Sequence, residues 1–552
     1  MDVDTSLKTV GELGRLQTAN FLLFAVCITF ASIQSNSIAF TIDQSVEHYC
    51  KPPPGFTANQ TSPLINKDGR EAFAGCEMYD VLNGTLTNNL TTCQYGWEYP
   101  SEYGATSIVT DLNLVCSRSL LAGTLMSMHF AGFLVGCFVT GQASDMFGRR
   151  TVCMTSLLLS SLLGMSISFI WNLELMMAAR FLLGLVLPGN TLVVFVRIVE
   201  MYSTKNRLLA NLLVTFGWVL GLMLVAPLAI LLPNWRDLQL VVSLACIPLL
   251  PLHWFFSYES IRWLVQKGQV DRAESILQKI AKSKHINCDG GFLLSKPNEG
   301  IGLNETDLLT AEEADGKGDT SPAADSGINK IVCTQRRRHY SVLDLFKTRT
   351  LVKYSLIIFL CWFVMNMLYF GFMVYSTSLA GNKYLNFFLL ALVEAPMSIV
   401  NFFILKRFGR RRPLIIFFFA CAVFCFIAGF LPTKTAQGTD LAALIVAMTM
   451  LGKYFAGATY EVTMLIGAEV FPTVLRNIVT GSSATVGKTA TIIAPFIVLL
   501  KGVVSFLPMT IFGTLSLVAS LCVFFLPETR NKPLPEQYGD TDKLAQDRES
   551  AI

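Results

Sequence analysis

Twelve long apolar runs, separated by polar links, dominate the pattern of the chain. Each run is long enough to cross the ~30 Å hydrocarbon core of a bilayer as a helix. The pattern therefore predicts an all-α membrane protein with twelve transmembrane helices. The runs lie near residues 19–41, 120–140, 151–171, 174–198, 208–231, 238–257, 354–376, 384–405, 413–431, 440–462, 476–500 and 504–526.

The composition agrees with a membrane protein. Hydrophobic residues make up 52% of the chain, charged residues make up 15%, and the mean hydropathy is +0.51. Soluble domains carry roughly 25% charged residues. A formal net charge of +4 is too small to indicate nucleic-acid binding, so no nucleic-acid partner is expected. The first apolar run is too long for the core of a cleavable signal peptide and is expected to remain as a helix.

Lysine and arginine cluster on every second link, whereas the links between them are nearly bare of basic residues. The positive-inside rule then places residues 1–18, the long link 258–352 and the tail 527–552 in the cytosol of a plasma-membrane protein. Within the long link, residues 262–282 are amphipathic and are expected to lie against the membrane or the base of the helix bundle. Residues 288–327 are rich in Gly, Asp, Ser and Glu and are expected to be a disordered linker.

The link after the first run, residues 42–119, has the features of an extracellular segment. Three glycosylation sequons and an even set of cysteines together indicate a disulfide-tied, glycosylated loop. Four cysteines allow three connectivities, which the sequence leaves open, and the alternative is free thiols with unused sequons. The sequons begin at Asn59, Asn83 and Asn89, and the cysteines are Cys50, Cys76, Cys93 and Cys116.

Several motifs recur at nearly constant spacing and indicate an internal repeat. Residues 200 and 469 are 269 positions apart, as are residues 259 and 528, and the tetrapeptide FGRR occurs at 147–150 and 408–411. The repeat predicts two six-helix bundles, 19–257 and 353–526, with a substrate site between them. Charged groups at the cytoplasmic ends of the bundles are expected to act as gates. They are Glu200, Arg207, Glu469 and Arg476.

The link GQASDMFGRR at 141–150 resembles the loop motif of the major facilitator superfamily. Its carboxylate can pair with an arginine or accept bonds from the N-terminus of a neighbouring helix, and its second glycine permits a tight turn. The resemblance implies the major facilitator fold, with a large extracellular loop after helix 1 and a large cytosolic loop after helix 6. The expected gating residues of this link are Gly141, Asp145, Gly148, Arg149 and Arg150. In the second copy of the motif, Lys406 occupies the place of Asp145. The interactions of that copy are therefore expected to be weaker.

Further stretches are similar to the organic cation, anion and zwitterion transporter family (solute carrier family 22-like). They are GELGRLQ at 11–17, ESIRWL at 259–264, LVEAP at 392–396, EVFPTVLRN at 469–477 and LPETRNKPLPE at 526–536. The family often has prolines where this chain has Tyr258 and Ile261, and six external cysteines where this chain has four. These departures affect local geometry more than the family assignment.

Ionisable residues inside membrane helices are costly to bury and indicate function. The expected substrate-binding residues are Asn36, Trp218, Trp362, Tyr369, Glu394, Tyr460, Glu461 and Lys488. The resemblance aligns Lys488 with an aspartate of cation transporters and an arginine of anion transporters, and Glu461 with a glutamate of cation transporters. One group of each sign suits a zwitterion or an amine; alternatively, the two groups neutralise each other. Arg197 is expected to pair with Glu200.

These features predict a secondary-active or facilitative plasma-membrane transporter of small organic ions, working by alternating access. The leading substrate class is an organic cation or zwitterion; the alternatives are an organic-anion exchanger and a non-transporting receptor-like member. A coupling ion or counter-substrate could take part, with the lipid bilayer as the surrounding partner. No cofactor, metal or enzymatic activity is expected, because the GKT at 487–489 lacks the first glycine of a phosphate-binding loop and the five histidines have no metal-ligand spacing.

Overall fold

A computed structural model describes residues 14–67, 70–82, 85–101, 103–201, 207–284, 342–434, 439–530 and 535. The side chains of residues 207–213 are outside this description, as are Asn83 and the linker predicted at 288–327. The described chain is mainly helical, because in hydrocarbon each backbone N–H and C=O must find its partner within the protein, and a helix provides that partner locally.

The first six membrane helices form one half of the molecule. Helix 4 is interrupted after Val186, where Pro188 begins a second helical segment. Helix 6 is likewise composed of two segments, Trp235–Leu244 and Leu249–Phe256. Helices 1 to 6 span Arg15–Thr41, Ser119–Phe147, Arg149–Ile167, Leu173–Met201, Arg207–Leu231 and Trp235–Phe256.

The second half contains six further helices. Helices 7 to 12 span Arg349–Ser378, Lys383–Phe408, Arg411–Phe430, Ala442–Val470, Thr473–Leu499 and Leu507–Val523. Among the described residues, 11 helices are long and apolar enough to cross a membrane, and helix 12 is a shorter apolar helix of 17 residues. The predicted helical membrane architecture is confirmed.

Close helix packing relies on glycine. A Cβ on Gly132 of helix 2 would lie 2.0 Å from the carbonyl oxygen of Phe181, and a Cβ on Gly184 of helix 4 would lie 2.1 Å from that of His129. Small residues allow two membrane helices to approach until their backbones are in contact. The two halves meet where helix 2 packs on helix 11 and helix 5 packs on helix 8.

Residues 42–119, here called the cap, follow helix 1 on one side of the molecule, the cap side. The cap contains three two-stranded antiparallel sheets, which the hydropathy pattern did not indicate. The paired strands are Tyr49–Cys50 with Trp97–Glu98, Leu64–Lys67 with Arg70–Phe73, and Glu77–Leu82 with Thr85–Thr92. Short helices cover Ala58–Thr61 and Ile108–Asp111.

Two disulfides join the cap, Cys50–Cys93 and Cys76–Cys116, which selects one of the three connectivities that the sequence left open. The side chain of Tyr49 also crosses between paired strands: its hydroxyl donates to Glu98 Oε2 at 2.8 Å. This hydrogen bond raises the pKa of Tyr49 above its ordinary value. Asn59 and Asn89 are exposed on the cap.

The opposite side, here called the base side, carries the amphipathic segment as two helices, Ile261–Gln266 and Val270–Ser283. Their apolar faces form a small core with Leu16 of helix 1, so the segment packs on the base of the bundle. Exposed positions such as Arg272 and Lys279 alternate with buried positions such as Leu277 at helical spacing. A 3₁₀ turn at Val342–Phe346 precedes helix 7.

Candidate functional site

The link between helices 2 and 3 is built around a carboxylate. Gly148 has φ +100°, and a Cβ there would lie 2.5 Å from Glu259 Oε2. The backbone N–H of Arg150 donates to Glu259 Oε1 at 3.0 Å and to Oε2 at 3.1 Å. A carboxylate at this position satisfies free amides of the first turn of helix 3 and complements the helix dipole. Glycine is therefore required both by the backbone conformation and by the space that Glu259 occupies.

Arg149 lies beside this turn and binds two acids. Its guanidinium is 2.6 Å from Asp145 Oδ1 and 3.2 Å from Glu200 Oε1, and it donates to the carbonyl of Ser144 at 2.8 Å. The Arg149 side chain is only 8% exposed, whereas that of Asp145 is 72% exposed. The charge of Arg149 is thus compensated by two acids of its own half, and most of the Asp145 side chain is exposed on the base side.

The second half repeats this geometry. Gly409 has φ +88°, and Glu528 accepts from the backbone N–H groups of Arg410 at 2.9 Å and Arg411 at 3.1 Å. The Arg410 guanidinium is 3.2 Å from Glu469. Lys406 offers no carboxylate in the place of Asp145, so this copy has one acidic partner fewer. The two arrangements, here called the base-side corners, each lie within one half.

Three other expected gating residues are not seen to take part in the base-side corners. Around Gly141, no atom would lie within 4 Å of an added Cβ among the described residues. Arg476 does not pair with Glu469; its Nε and Nη2 atoms are buried without a hydrogen-bond partner in the described part of the chain. The side chain of Arg207 lies outside the described residues. The expected pairing of Arg197 with Glu200 is wrong: Arg197 donates to the hydroxyl of Ser257 and the carbonyl of Tyr258.

A buried ion pair lies in the second half near its interface with the first. Lys453 Nζ of helix 10 is 2.8 Å from Glu394 Oε1 of helix 8, and the two side chains are 0% and 4% exposed. The Tyr369 hydroxyl donates to Glu394 Oε2 at 3.0 Å, and the Trp218 indole donates to that hydroxyl at 3.1 Å. Trp218 belongs to helix 5, so this chain of hydrogen bonds joins the two halves.

Lys488 and Glu461 do not neutralise each other. Lys488 Nζ lies 5.0 Å from the ring centre of Phe133 in helix 2 and 5.1 Å from that of Phe370 in helix 7. Within the described residues Lys488 forms no ion pair, and its amine is held between aromatic rings of both halves. Such cation–π contacts stabilise a desolvated charge without neutralising it.

Glu461 is held by neutral partners on helix 8. Its carboxylate accepts from the hydroxyl of Ser398 and from Asn401 Nδ2, the latter at 2.9 Å. Sequence reasoning missed Asn401, although its position three residues after Ser398 places both on one face of a helix. It also missed Phe133 and Phe370, because nothing in their sequence context separates them from the many other phenylalanines.

The remaining expected substrate-binding residues have the following contacts. Asn36 donates to the carbonyl of Ser32 at 2.8 Å, and its buried Oδ1 atom has no hydrogen-bond partner among the described residues. The Tyr460 ring centre is 5.7 Å from that of Tyr369. Trp362 is buried within the second half, where its carbonyl accepts from Asn366.

A bundle of two related halves with charged residues between them is the architecture of a membrane carrier. The family model of the Major Facilitator Superfamily matches residues 100–495, more than half of the chain. An "Organic cation transporter protein" of Drosophila melanogaster is 30% identical over 99% of this chain and 95% of its own length. The "Organic cation/carnitine transporter 2" of Homo sapiens is 27% identical over 97% of this chain and 93% of its own.

The solved structures agree on the fold. The E. coli xylose transporter XylE in an inward open conformation matches with a TM-score of 0.57 and 15% identity, over 93% of this chain and 97% of that one. At this identity the likeness establishes the fold alone. The chain belongs to the major facilitator superfamily and, within it, to the organic cation transporter (solute carrier family 22) family.

Proposed function

We propose that the chain is a plasma-membrane carrier of small organic cations or zwitterions, with the cap outside the cell and the base side in the cytosol. The observation that carries the proposal is that the second half holds two opposite charges that do not pair with each other. Among the described residues, Lys488 has aromatic neighbours and no acid, while Glu461 has neutral hydrogen-bond donors and no base. Each charge is therefore available to a substrate group of the opposite sign.

The buried pair of Lys453 and Glu394 has a different role in this proposal. Both side chains are fully engaged, with each other and with Tyr369, so they position the aromatic residues rather than bind the substrate charge. Tyr369, Tyr460 and Trp218 then present ring surfaces to an organic cation, for which aromatic faces are favourable partners. The names of the relatives, which include organic cation and carnitine transporters, support the same substrate class.

Alternating access is supported by the two base-side corners. Each corner fastens the ends of helices within its own half, through Arg149 in the first and Arg410 in the second. The halves can then rotate as stiff units about the substrate site while the corners keep each bundle intact. This assigns Glu200 and Glu469 to the rigidity of each half, and Asp145, which pairs with Arg149 but is largely exposed, can meet the other half when the base side closes.

Uptake in oocytes tests the proposal. The panel consists of a labelled quaternary amine, a carnitine-like zwitterion and an aromatic carboxylate, with Lys488→Ala, Lys488→Asp and Glu461→Gln beside the unchanged chain. We expect zwitterion uptake to fall at least about tenfold in each variant, the loss that follows from removing a charge-assisted contact. Lys279→Ala, on an exposed helix of the base side, is the matched control. Unchanged zwitterion uptake in all three variants would contradict the assigned site.

An organic-anion exchanger is the second candidate, favoured by the absence of an acidic partner for Lys488 among the described residues. It predicts that the aromatic carboxylate is taken up, that Lys488→Asp abolishes this uptake, and that Glu461→Gln leaves it unchanged. A chain that reaches the cell surface and takes up no member of the panel would instead support a receptor-like role.

A further inference from the structure

An ion pair joins the two halves on the cap side. Lys383 Nζ, at the start of helix 8, is 2.7 Å from Asp43 Oδ2, just after helix 1. The Asp43 side chain is 3% exposed and that of Lys383 is 30% exposed. Because the carboxylate is buried while the amine stays partly hydrated, the pair is more strongly held than a surface pair and can still separate without leaving both charges in a dry site.

Asp43 is held in position by a neighbouring serine. Its Oδ1 atom accepts from the backbone N–H of Ser45 at 2.9 Å and from the Ser45 hydroxyl at 2.6 Å. The same serine lies 2.9 Å from the carbonyl oxygen of Thr377, which belongs to the second half. A single hydroxyl proton can be donated to only one of these two acceptors at a time, so Ser45 links Asp43 and the second half through one side chain.

Aromatic rings from three segments pack beside the ion pair. Phe40 of helix 1 stacks on Tyr384 of helix 8 at 5.2 Å with an angle of 5° between the rings. Tyr103 of the cap meets the same ring edge to face at 5.8 Å. Deeper along the interface, the Ser127 hydroxyl of helix 2 donates to the carbonyl of Ile492 in helix 11 at 2.6 Å. The cap side is therefore closed by contacts between the halves, and the cap itself takes part.

We infer that Asp43 and Lys383 form a latch that keeps the cap side closed, with Ser45 as its positioning residue and Tyr103 as a further contact from the cap. The latch rests on the proposed alternating access but not on the identity of the substrate. When the halves rotate to open the cap side, the amine must leave the carboxylate and Tyr384 must leave Phe40. The latch therefore sets how often the interface beneath it is reached from the cap side.

Thiol labelling tests the latch without a substrate. Ser127→Cys is a reporter that is buried while the cap side is closed, and Ser505→Cys is an exposed reference thiol in the link between helices 11 and 12. A membrane-impermeant thiol reagent is applied to intact cells and to inside-out vesicles. The side from which Ser505→Cys reacts identifies the cap side, so an error in the proposed orientation is recognised separately from a failure of the latch.

Asp43→Asn and Lys383→Gln are each expected to speed the labelling of Ser127→Cys by about threefold to tenfold, the effect of weakening one partly exposed ion pair. The exchanged pair Asp43→Lys with Lys383→Asp is expected to return the rate towards that of the parent. The labelling of Ser505→Cys should stay constant throughout. Labelling of the reporter at the parent rate in both single variants would overturn the latch, and so would acceleration that the exchanged pair fails to reverse.

Discussion

Removing one member of the buried Lys453–Glu394 pair should destabilise the protein strongly. In Lys453→Met, the Glu394 carboxylate keeps its bond from Tyr369 but loses the only cation within ion-pairing distance among the described residues. Because the two side chains are 0% and 4% exposed, water cannot replace the amine. The expected cost is about 3–5 kcal/mol, the range for leaving one charge of a buried pair uncompensated.

The double variant Lys453→Met with Glu394→Gln removes both charges and leaves an amide that can still accept from Tyr369. Its expected cost is less than about 2 kcal/mol, so the double-mutant cycle should give a coupling energy above about 2 kcal/mol. Lys353→Met is the matched control, because Lys353 is an exposed lysine of helix 7 in the same half and should change stability by at most about 0.5 kcal/mol.

The assay is denaturant-induced unfolding of the purified protein in detergent, followed by tryptophan fluorescence. The reasoning would be refuted if Lys453→Met matched the Lys353→Met control, since a pair buried to this degree cannot lose one charge without cost. It would also be refuted if the double variant were as unstable as the single one, because the cost would then come from lost packing rather than from the unpaired charge.

Three further substitutions test the turn glycine, a cap disulfide and the second base-side corner. Gly148→Ala should lower surface expression, measured by surface biotinylation, and uptake several-fold, because the added methyl group would meet the Glu259 carboxylate and φ is +100°. Gly141→Ala should match the parent in the same assay, because no described atom lies near its added methyl group. Cys50→Ser should cost about 2–4 kcal/mol of cap stability, measured as faster proteolysis of the cap in intact cells. Lys406→Asp should give Arg410 the acid that its first-half counterpart has, and should raise the unfolding free energy by up to about 0.5 kcal/mol in the same fluorescence assay.

The membrane helices could be predicted from the sequence because hydropathy reports directly on length in a bilayer. The first predicted run, 19–41, corresponds to helix 1 at Arg15–Thr41, and the last, 504–526, to helix 12 at Leu507–Val523. The cap sheets were missed because their strands are short and lack clear alternation; Thr85–Thr92, for example, is polar almost throughout.

The site was predictable by residue type but not by pairing. Repeated offsets identified Glu200 and Glu469 as corresponding residues, yet spacing along the chain did not reveal that arginines of the preceding link bind them. In the same way, sequence presented Glu461 and Lys488 as a candidate pair. Which partner a side chain meets depends on the rotation of each helix about its axis, and that rotation is fixed by packing between distant segments.

The self-contained corners bear on how the two bundles are joined. Within the described residues, neither corner uses an atom of the opposite bundle, and the bundles meet instead along broad helical surfaces. We therefore expect each bundle to hold together without an unbroken backbone between residues 284 and 342. Two polypeptides cut within that stretch and produced in the same cell should find each other in the bilayer and reconstitute a working molecule.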